Sequence, residues 1–165
     1  MIKIRRPSED EIPALARIWY TAWHDGHAAH VPAELTAIRT EESFRIRLAD
    51  MLVSTRIAAV DGKPVGFCSL KGDELYQIMV SAEARGTPAA TALMTNAEAR
   101  LRAGGTEVAW LSCVIGNERA AAFYRKSGWH LARTFVEELA TLDAPYPLEV
   151  WRFEKVLKRE LPPLT

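Results

Sequence analysis

Two segments of the sequence combine residue types that could do chemistry. In the first, an apolar stretch ending at Val80 runs through Ser81-Ala82-Glu83-Ala84-Arg85-Gly86-Thr87-Pro88 into a helical pattern that opens with Ala89-Ala90-Thr91. A helix start offers unpaired N–H groups and the positive end of the helix dipole. Small residues let that backbone approach an anion closely, so a phosphate is the natural guest. A tight strand-to-helix turn without a ligand fits the same residues. The second segment is Asn117-Glu118-Arg119-Ala120-Ala121-Ala122-Phe123-Tyr124-Arg125-Lys126-Ser127-Gly128-Trp129. Asn117 is a good N-cap and Phe123 can pack inward. Tyr124, its neighbour on the helix, must point elsewhere. It is either a boundary residue or a phenol aimed into a cleft, and helix geometry alone favours the boundary.

Other reactive side chains carry weaker patterns. His24, His27 and His30 form H-x-x-H-x-x-H beside Asp25. Imidazoles bind zinc, but steps of three drift around a helix with about 3.6 residues per turn, and no metal site is expected. Cys68 and Cys113 both lie in apolar runs. They read as buried thiols in a reducing compartment, and Cys113 as inert rather than nucleophilic. Arg133, Arg152, Lys155, Lys158 and Arg159 read as solvated strand edges rather than a basic face.

The elements that must position these residues follow from periodicity and turn chemistry. Ile2 to Arg6 alternates like a strand, and Ser8 with Glu11 forms a capping box ahead of a helix. Ile12, Leu15, Ile18, Trp19 and Ala22 make that helix's apolar stripe, and His24 to Pro32 reads as irregular. A second helix is expected from about Thr40 to Ser54, with Phe44, Leu48, Met51 and Leu52 inward. Arg56–Val60 and Pro64–Leu70 flank Asp61-Gly62-Lys63 as a hairpin. Leu75–Val80 is a further strand. Ala89–Ala103 is a long helix with Leu93, Met94, Ala97 and Leu101 on its apolar face, stopped by Gly104-Gly105. Val108–Val114 is a buried strand, Asn117–Ser127 a helix, and Trp129–Leu139 and Leu148–Leu157 two more strands. The order predicts a mixed sheet with helices packed on it.

Composition bounds the functional classes. The chain has 165 residues, 48% hydrophobic and 25% charged, with 21 basic and 21 acidic side chains. That suits one globular domain of residues 1–165 and excludes disorder. The charge balance argues against nucleic acid as a partner. No apolar run of about 18 residues offers a membrane span, and the first residues lack a signal-peptide core, so a cytoplasmic protein is expected.

Taken together, the two segments resemble the GNAT superfamily of acetyl-CoA-dependent N-acetyltransferases. Asn117 to Trp129 matches N-x-x-A-x-x-F-Y-x-K-x-G-W/F in full. Arg85 to Ala90 matches the first and last positions of Q/R-x-x-G-x-G/A. A full second motif after an intervening strand makes chance a poor explanation. The resemblance implies an α/β (α+β) GNAT fold, with a mixed, mostly antiparallel sheet of six to seven strands flanked by helices. It implies acetyl-CoA as co-substrate and transfer of its acetyl group to a primary amine by direct attack in a ternary complex. The acceptor is expected to be a small molecule, with a protein amine as the alternative. The resemblance also allows a homodimer through the last two strands.

The roles it implies fall on particular residues. The backbone of Met79 and Val80 runs beside the pantetheine arm. Arg85 opens the pyrophosphate motif, and N–H groups of Gly86, Thr87, Ala89 and Ala90 hold the pyrophosphate with help from the Thr91 hydroxyl. Asn117 contacts the pantetheine or its surroundings. Tyr124 sits near the thioester sulfur and protonates the leaving thiolate. Glu74, eleven residues before Arg85, stands where some members keep a general base, though a solvated strand-start carboxylate fits as well. Others place a glutamate where this chain has Ser112, so that route is absent. The connection after the first helix lines the acceptor pocket in this family, which brings Trp19, Tyr20, Trp23, His24 and His27 into view. Trp19 reads as core. Pro88 departs from the motif's central glycine. It suits a first helical turn but has no N–H to give a phosphate. That missing donor and the unproven base leave a non-catalytic acyl-CoA-binding module as the alternative function.

Overall fold

The computed structural model describes residues 1–157, so Lys158 and Arg159 lie outside the described residues. Seven strands form one sheet in the order β1-β2-β3-β4-β5-β7-β6. They are β1 (Ile2–Arg5), β2 (Thr55–Val60), β3 (Lys63–Lys71), β4 (Glu74–Val80), β5 (Val108–Val114), β6 (His130–Leu139) and β7 (Tyr146–Val156). Five α-helices pack on it: α1 (Ile12–His27), α2 (Ala33–Ile38), α3 (Glu41–Met51), α4 (Ala89–Ala103) and α5 (Glu118–Lys126). Every strand pair is antiparallel except β4–β5.

Alternation along the strands feeds two cores. On one face Leu93, Met94, Ala97 and Leu101 of α4 pack with Ala58, Cys68 and Leu111 of the sheet. On the other, Leu15 and Trp19 of α1 and Phe44 and Leu48 of α3 pack with Ile57 and Phe67. Trp19 is fully buried, stacked 4.4 Å from the Phe44 ring. The β2–β3 hairpin turns through Asp61 and Gly62, both at positive φ (52° and 78°), as an Asp-Gly two-residue turn requires. Glu11 does reach back to the Ser8 N–H, at 3.0 Å.

Three local expectations need correction. The first helix does not give way to irregular chain at His24. It continues to His27, because Trp23 and Gly26 extend its buried stripe beyond Trp19. A short 3-10 turn, Ala28–His30, follows. The sequence reading also omits α2. At six residues it is too short to show a period, and it is held by one buried side chain, Leu35. The predicted Thr40–Ser54 helix is α-helical only to Met51 and ends in a 3-10 turn.

What positions the site is a break in the sheet. β4 and β5 run parallel and share the single register pair Glu74↔Trp110, where the Trp110 N–H donates to the Asp73 carbonyl (3.2 Å). Past that pair the strands have no ladder between them. β5 is instead fully paired on its other side with β7, from Val108↔Val156 to Val114↔Val150. The sheet is therefore splayed between β4 and β5, and the C-terminal half of β4 faces open space along one edge.

Candidate active site

The splay opens into two cavities. One, of about 280 Å³, lies between the end of β4 and the starts of α4 and α5. Its wall includes Met79, Val80, Arg85, Gly86, Ala90 and Phe123. The other, of about 140 Å³, lies under α1 and between β4 and the β6–β7 pair. The two share His27, Ile78, Met79, Asn117, Ala120 and Tyr124, so they meet at these residues.

The larger cavity is shaped mainly by backbone. Met79 and Val80 pair with Phe67 and Gly66 on the β3 side, and their other edge is the one the splay exposes. Gly66 is required here, since a Cβ would stand 2.6 Å from the Met79 carbonyl oxygen. Gly86 takes a positive φ of 78°, turning the chain toward α4. Pro88 is the N-cap of α4 with φ −68°, and its carbonyl accepts the first helical bond, from Ala92 (2.9 Å). The Ala90 and Thr91 N–H groups precede that bond and are free of the helix ladder. The Thr87 N–H is engaged by the Ala84 carbonyl (3.2 Å), and the Ala89 N–H by the Thr87 hydroxyl (3.3 Å). Of the expected pyrophosphate donors, Gly86 and Ala90 therefore lie on the cavity wall, while Thr87 and Ala89 are tied up internally and Thr91 is exposed. Arg85 also lines this cavity and is held by Asp25 of α1 at 3.1 Å. These donors, with an open strand edge leading to them, fit a long ligand that ends in phosphates.

Asn117 and Tyr124 form the junction. Asn117 caps α5 by accepting from the Ala120 N–H (3.3 Å) and is buried. Its amide packs against α1 where a Cβ on Gly26 would be only 3.0 Å from Nδ2. Tyr124 borders both cavities. Burial, with the Cys113 thiol nearby, pushes its phenol well above the usual tyrosine range, so it stays protonated. Cys113 is itself buried, its thiol pushed up to about 12 chiefly by desolvation, which keeps it from being a nucleophile at neutral pH.

The smaller cavity is built from side chains. Glu74, only 5% exposed, opens β4 on its wall. Burial and the neighbouring Glu137 carboxylate push Glu74 up to about 7, against weaker pull from Lys71 and Arg152. Oε2 of Glu74 and Oε2 of Glu137 are both buried without a hydrogen-bond partner among the described residues. Glu74 is therefore not a solvated strand-start residue. It is a carboxyl poised to exchange a proton near neutrality.

The residues expected after the first helix divide. Trp23 and His27 line the smaller cavity. His27 is pushed down to about 4 by burial and then by Arg39, so it is neutral. Tyr20 and His24 are not on that wall. Tyr20 is exposed and its ring lies tilted against that of His24, whose Nε2 bonds the Arg39 carbonyl (2.9 Å). The basic strand edge is partly consumed as well. Arg152 pairs with Glu154 (2.8 Å), and Lys155 pairs with Glu98 while donating to the Ser127 carbonyl (2.7 Å).

Sequence reasoning missed Glu137, Arg39 and Arg47 on the smaller cavity's wall. Glu137 had a signal. Phe135, Glu137 and Leu139 alternate as the less exposed face of β6, and an acid in such a row needs a reason. Arg39 and Arg47 had none, because nothing local says that a loop arginine or a helical arginine turns inward.

Comparison with known proteins agrees with this geometry. Residues 12–129 match the acetyltransferase (GNAT) family, and the chain belongs to that family of acetyl-CoA-dependent N-acetyltransferases. No curated relative matches the sequence. Among solved structures, a GCN5-related N-acetyltransferase from Rhodopseudomonas palustris superposes with a TM-score of 0.74 at 24% identity, covering 94% of this chain and 95% of the other. The PaiA N-acetyltransferase from Thermoplasma acidophilum, solved with coenzyme A, gives 0.71 at 18% identity, covering 94% and 99%. A GNAT superfamily phosphinothricin acetyltransferase from Sinorhizobium meliloti, in complex with acetyl-CoA, gives 0.70 at 16% identity, covering 94% and 88%. Among the described residues no helix is long and apolar enough to cross a membrane.

Proposed function

We propose that this chain transfers the acetyl group of acetyl-CoA to the primary amine of a small molecule, by direct attack within a ternary complex. The observation that carries the reading is the meeting of the two cavities at Tyr124, with a proton-accepting carboxyl, Glu74, on the wall of the smaller one. The cofactor, when bound, supplies an activated acyl thioester. The Gly86 and Ala90 N–H groups and Arg85 hold its pyrophosphate, and Thr91 is placed at the same helix start. The free edge of Met79 and Val80 pairs with the amides of the pantetheine arm and orients it toward Tyr124. Asn117 supports the same wall.

In the smaller cavity Glu74 takes the proton that an incoming ammonium must lose before its nitrogen can attack. A carboxyl near 7 accepts that proton and passes it to solvent without being trapped as the acid. A C–N bond forms as the C–S bond breaks. Tyr124, held neutral by burial, gives its proton to the departing sulfur, and the second proton shed by the new amide nitrogen returns to the Tyr124 oxygen through solvent, so the phenol ends as it began. A small acceptor suits a cavity of about 140 Å³ walled by Trp23, Leu35 and Val150.

The test is release of free coenzyme A thiol when acetyl-CoA is offered with a panel of primary amines, followed by mass detection of the acetamide. Amine-dependent thiol release is expected. Acetyl-CoA that binds but is never consumed with any amine would contradict the reading.

A further inference from the structure

Two guanidinium groups line the smaller cavity, and neither has a carboxylate partner among the described residues. Arg39, between α2 and α3, is only 4% exposed. Its side chain makes one hydrogen bond, from Nη1 to the Ala140 carbonyl (2.6 Å), while its buried Nε has no acceptor. The Trp23 ring lies 6.0 Å from its Cζ. Arg47 of α3 donates to the Tyr76 hydroxyl (3.0 Å) and lies 4.5 Å over the Trp19 ring. The tryptophans and these hydrogen bonds hold both groups in place. They do not neutralise them.

A buried guanidinium is costly unless an anion answers it. The two arginines also oppose each other: burial first, then Arg47, lowers Arg39 to about 10, still charged at neutral pH. Other walls of the same cavity carry Glu74 and Glu137, whose buried oxygens lack donors. The cavity therefore holds unanswered donors of positive charge and unanswered acceptors of negative charge together. A plain alkylamine would satisfy only the acids.

We propose that the acceptor is a zwitterion of the free amino acid kind, whose anionic group is held by Arg39 and Arg47 while its amine faces Glu74 and Glu137. This rests on the acetyl-transfer reading above and narrows its substrate class. A carboxylate suits Arg39, because a guanidinium presents paired N–H donors that a planar anion accepts bidentately. Glu137 shares the ammonium with Glu74 in the bound state, which keeps two neighbouring carboxylates from facing each other uncompensated.

The experiment uses the intact chain with acetyl-CoA. Each common amino acid is compared with its amide, with isoamylamine as an amine lacking an anion and a dipeptide as a peptide N-terminus. Thiol release gives kcat and KM, and thermal shift of the acetyl-CoA-loaded protein reports binding without turnover. At least one amino acid should be used on the order of 100-fold better, in kcat/KM, than its amide. Arg39→Gln should erase that preference, mainly through KM, and Arg47→Gln gives a second variant should the first not fold. Equal use of amides and acids overturns the inference and leaves acetyl transfer standing, as does efficient use of isoamylamine or of the dipeptide alone. An acetyl-CoA complex that responds to no amino acid in either assay also overturns it. Calorimetry with acetyl-CoA alone separates these results from failure of the transfer reading itself, since a chain that binds no acetyl-CoA contradicts both.

Discussion

The proposed cofactor cleft and the proposed acceptor cavity share a wall at Met79, Asn117 and Tyr124 but are built from different material. The cleft is framed by an exposed strand edge, a positive-φ glycine and the first N–H groups of α4. Its ligand chemistry needs little more than backbone placed by a short stretch of chain. The acceptor cavity is lined by ionised side chains from α3, β4, β6 and the α2–α3 connection. There Glu74, Arg39 and His27 titrate as burial and their charged neighbours dictate. The difference teaches that the larger cavity presents mostly backbone groups to its ligand, while the smaller one presents side chains whose charge is set by tertiary packing.

Substitutions can be ranked by how hard they press on that contrast. The largest effect is expected in the acceptor cavity. Glu74→Gln keeps the shape and removes the base, and should lower kcat by about 100- to 10,000-fold with acetyl-CoA affinity little changed by calorimetry. Tyr124→Phe, at the junction, should lower kcat by about 100-fold and move the Kd for acetyl-CoA far less. Unchanged turnover would remove Tyr124 as the acid.

Stability gives a third test. Glu74 is raised from 4.5 to about 7, so the folded state holds its proton more tightly than the unfolded chain does. The folded protein therefore loses stability as pH rises from about 4.5 to about 7, and the loss persists above that. Glu74→Gln escapes it. Chemical denaturation should find the variant more stable than the parent at pH 8, by up to about 3 kcal/mol, and nearly equal at pH 4. A variant less stable than the parent at pH 8 would show that Glu74 is answered by a partner.

On the cleft side, Gly26→Val would drive a side chain into Asn117, whose Nδ2 would stand 3.0 Å from the new Cβ. Loss of the α5 cap costs about 1 kcal/mol, and acetyl-CoA binding should weaken by about 10-fold. Pro88→Gly presses least. It restores an N–H at the head of α4 at some cost in helix entropy, so calorimetry should show acetyl-CoA binding tightened by less than about 10-fold.

The same contrast explains what could be read in advance. The Asp61-Gly62 hairpin, the apolar face of α4, the β5 strand and the α5 motif all rest on residues near one another in sequence, and each lies where its pattern puts it. Glu74 could be named only through the family resemblance, which places a base at that spacing from Arg85, and its burial and its neighbour Glu137 could not be named at all, because β4 and β6 are separated by α4, β5 and α5. Arg39 was invisible for the same reason, since its partner is the carbonyl of Ala140, 101 residues away. Tyr20 and His24 were drawn in by their place near the end of the first helix, yet on α1 they lie off the smaller cavity's wall, while Trp23 and His27 lie on it.

The most direct measurement is the pH profile of kcat/KM, followed from pH 5.5 to 9 for the parent and for Glu74→Gln with the same amine. The parent should rise along a titration near pH 7 as Glu74 loses its proton, superimposed on the amine's own ionisation, and the variant should lack that step. A step near 7 that survives in Glu74→Gln, or a parent profile set by the amine alone, would contradict a proton-accepting Glu74 at the meeting of the two cavities.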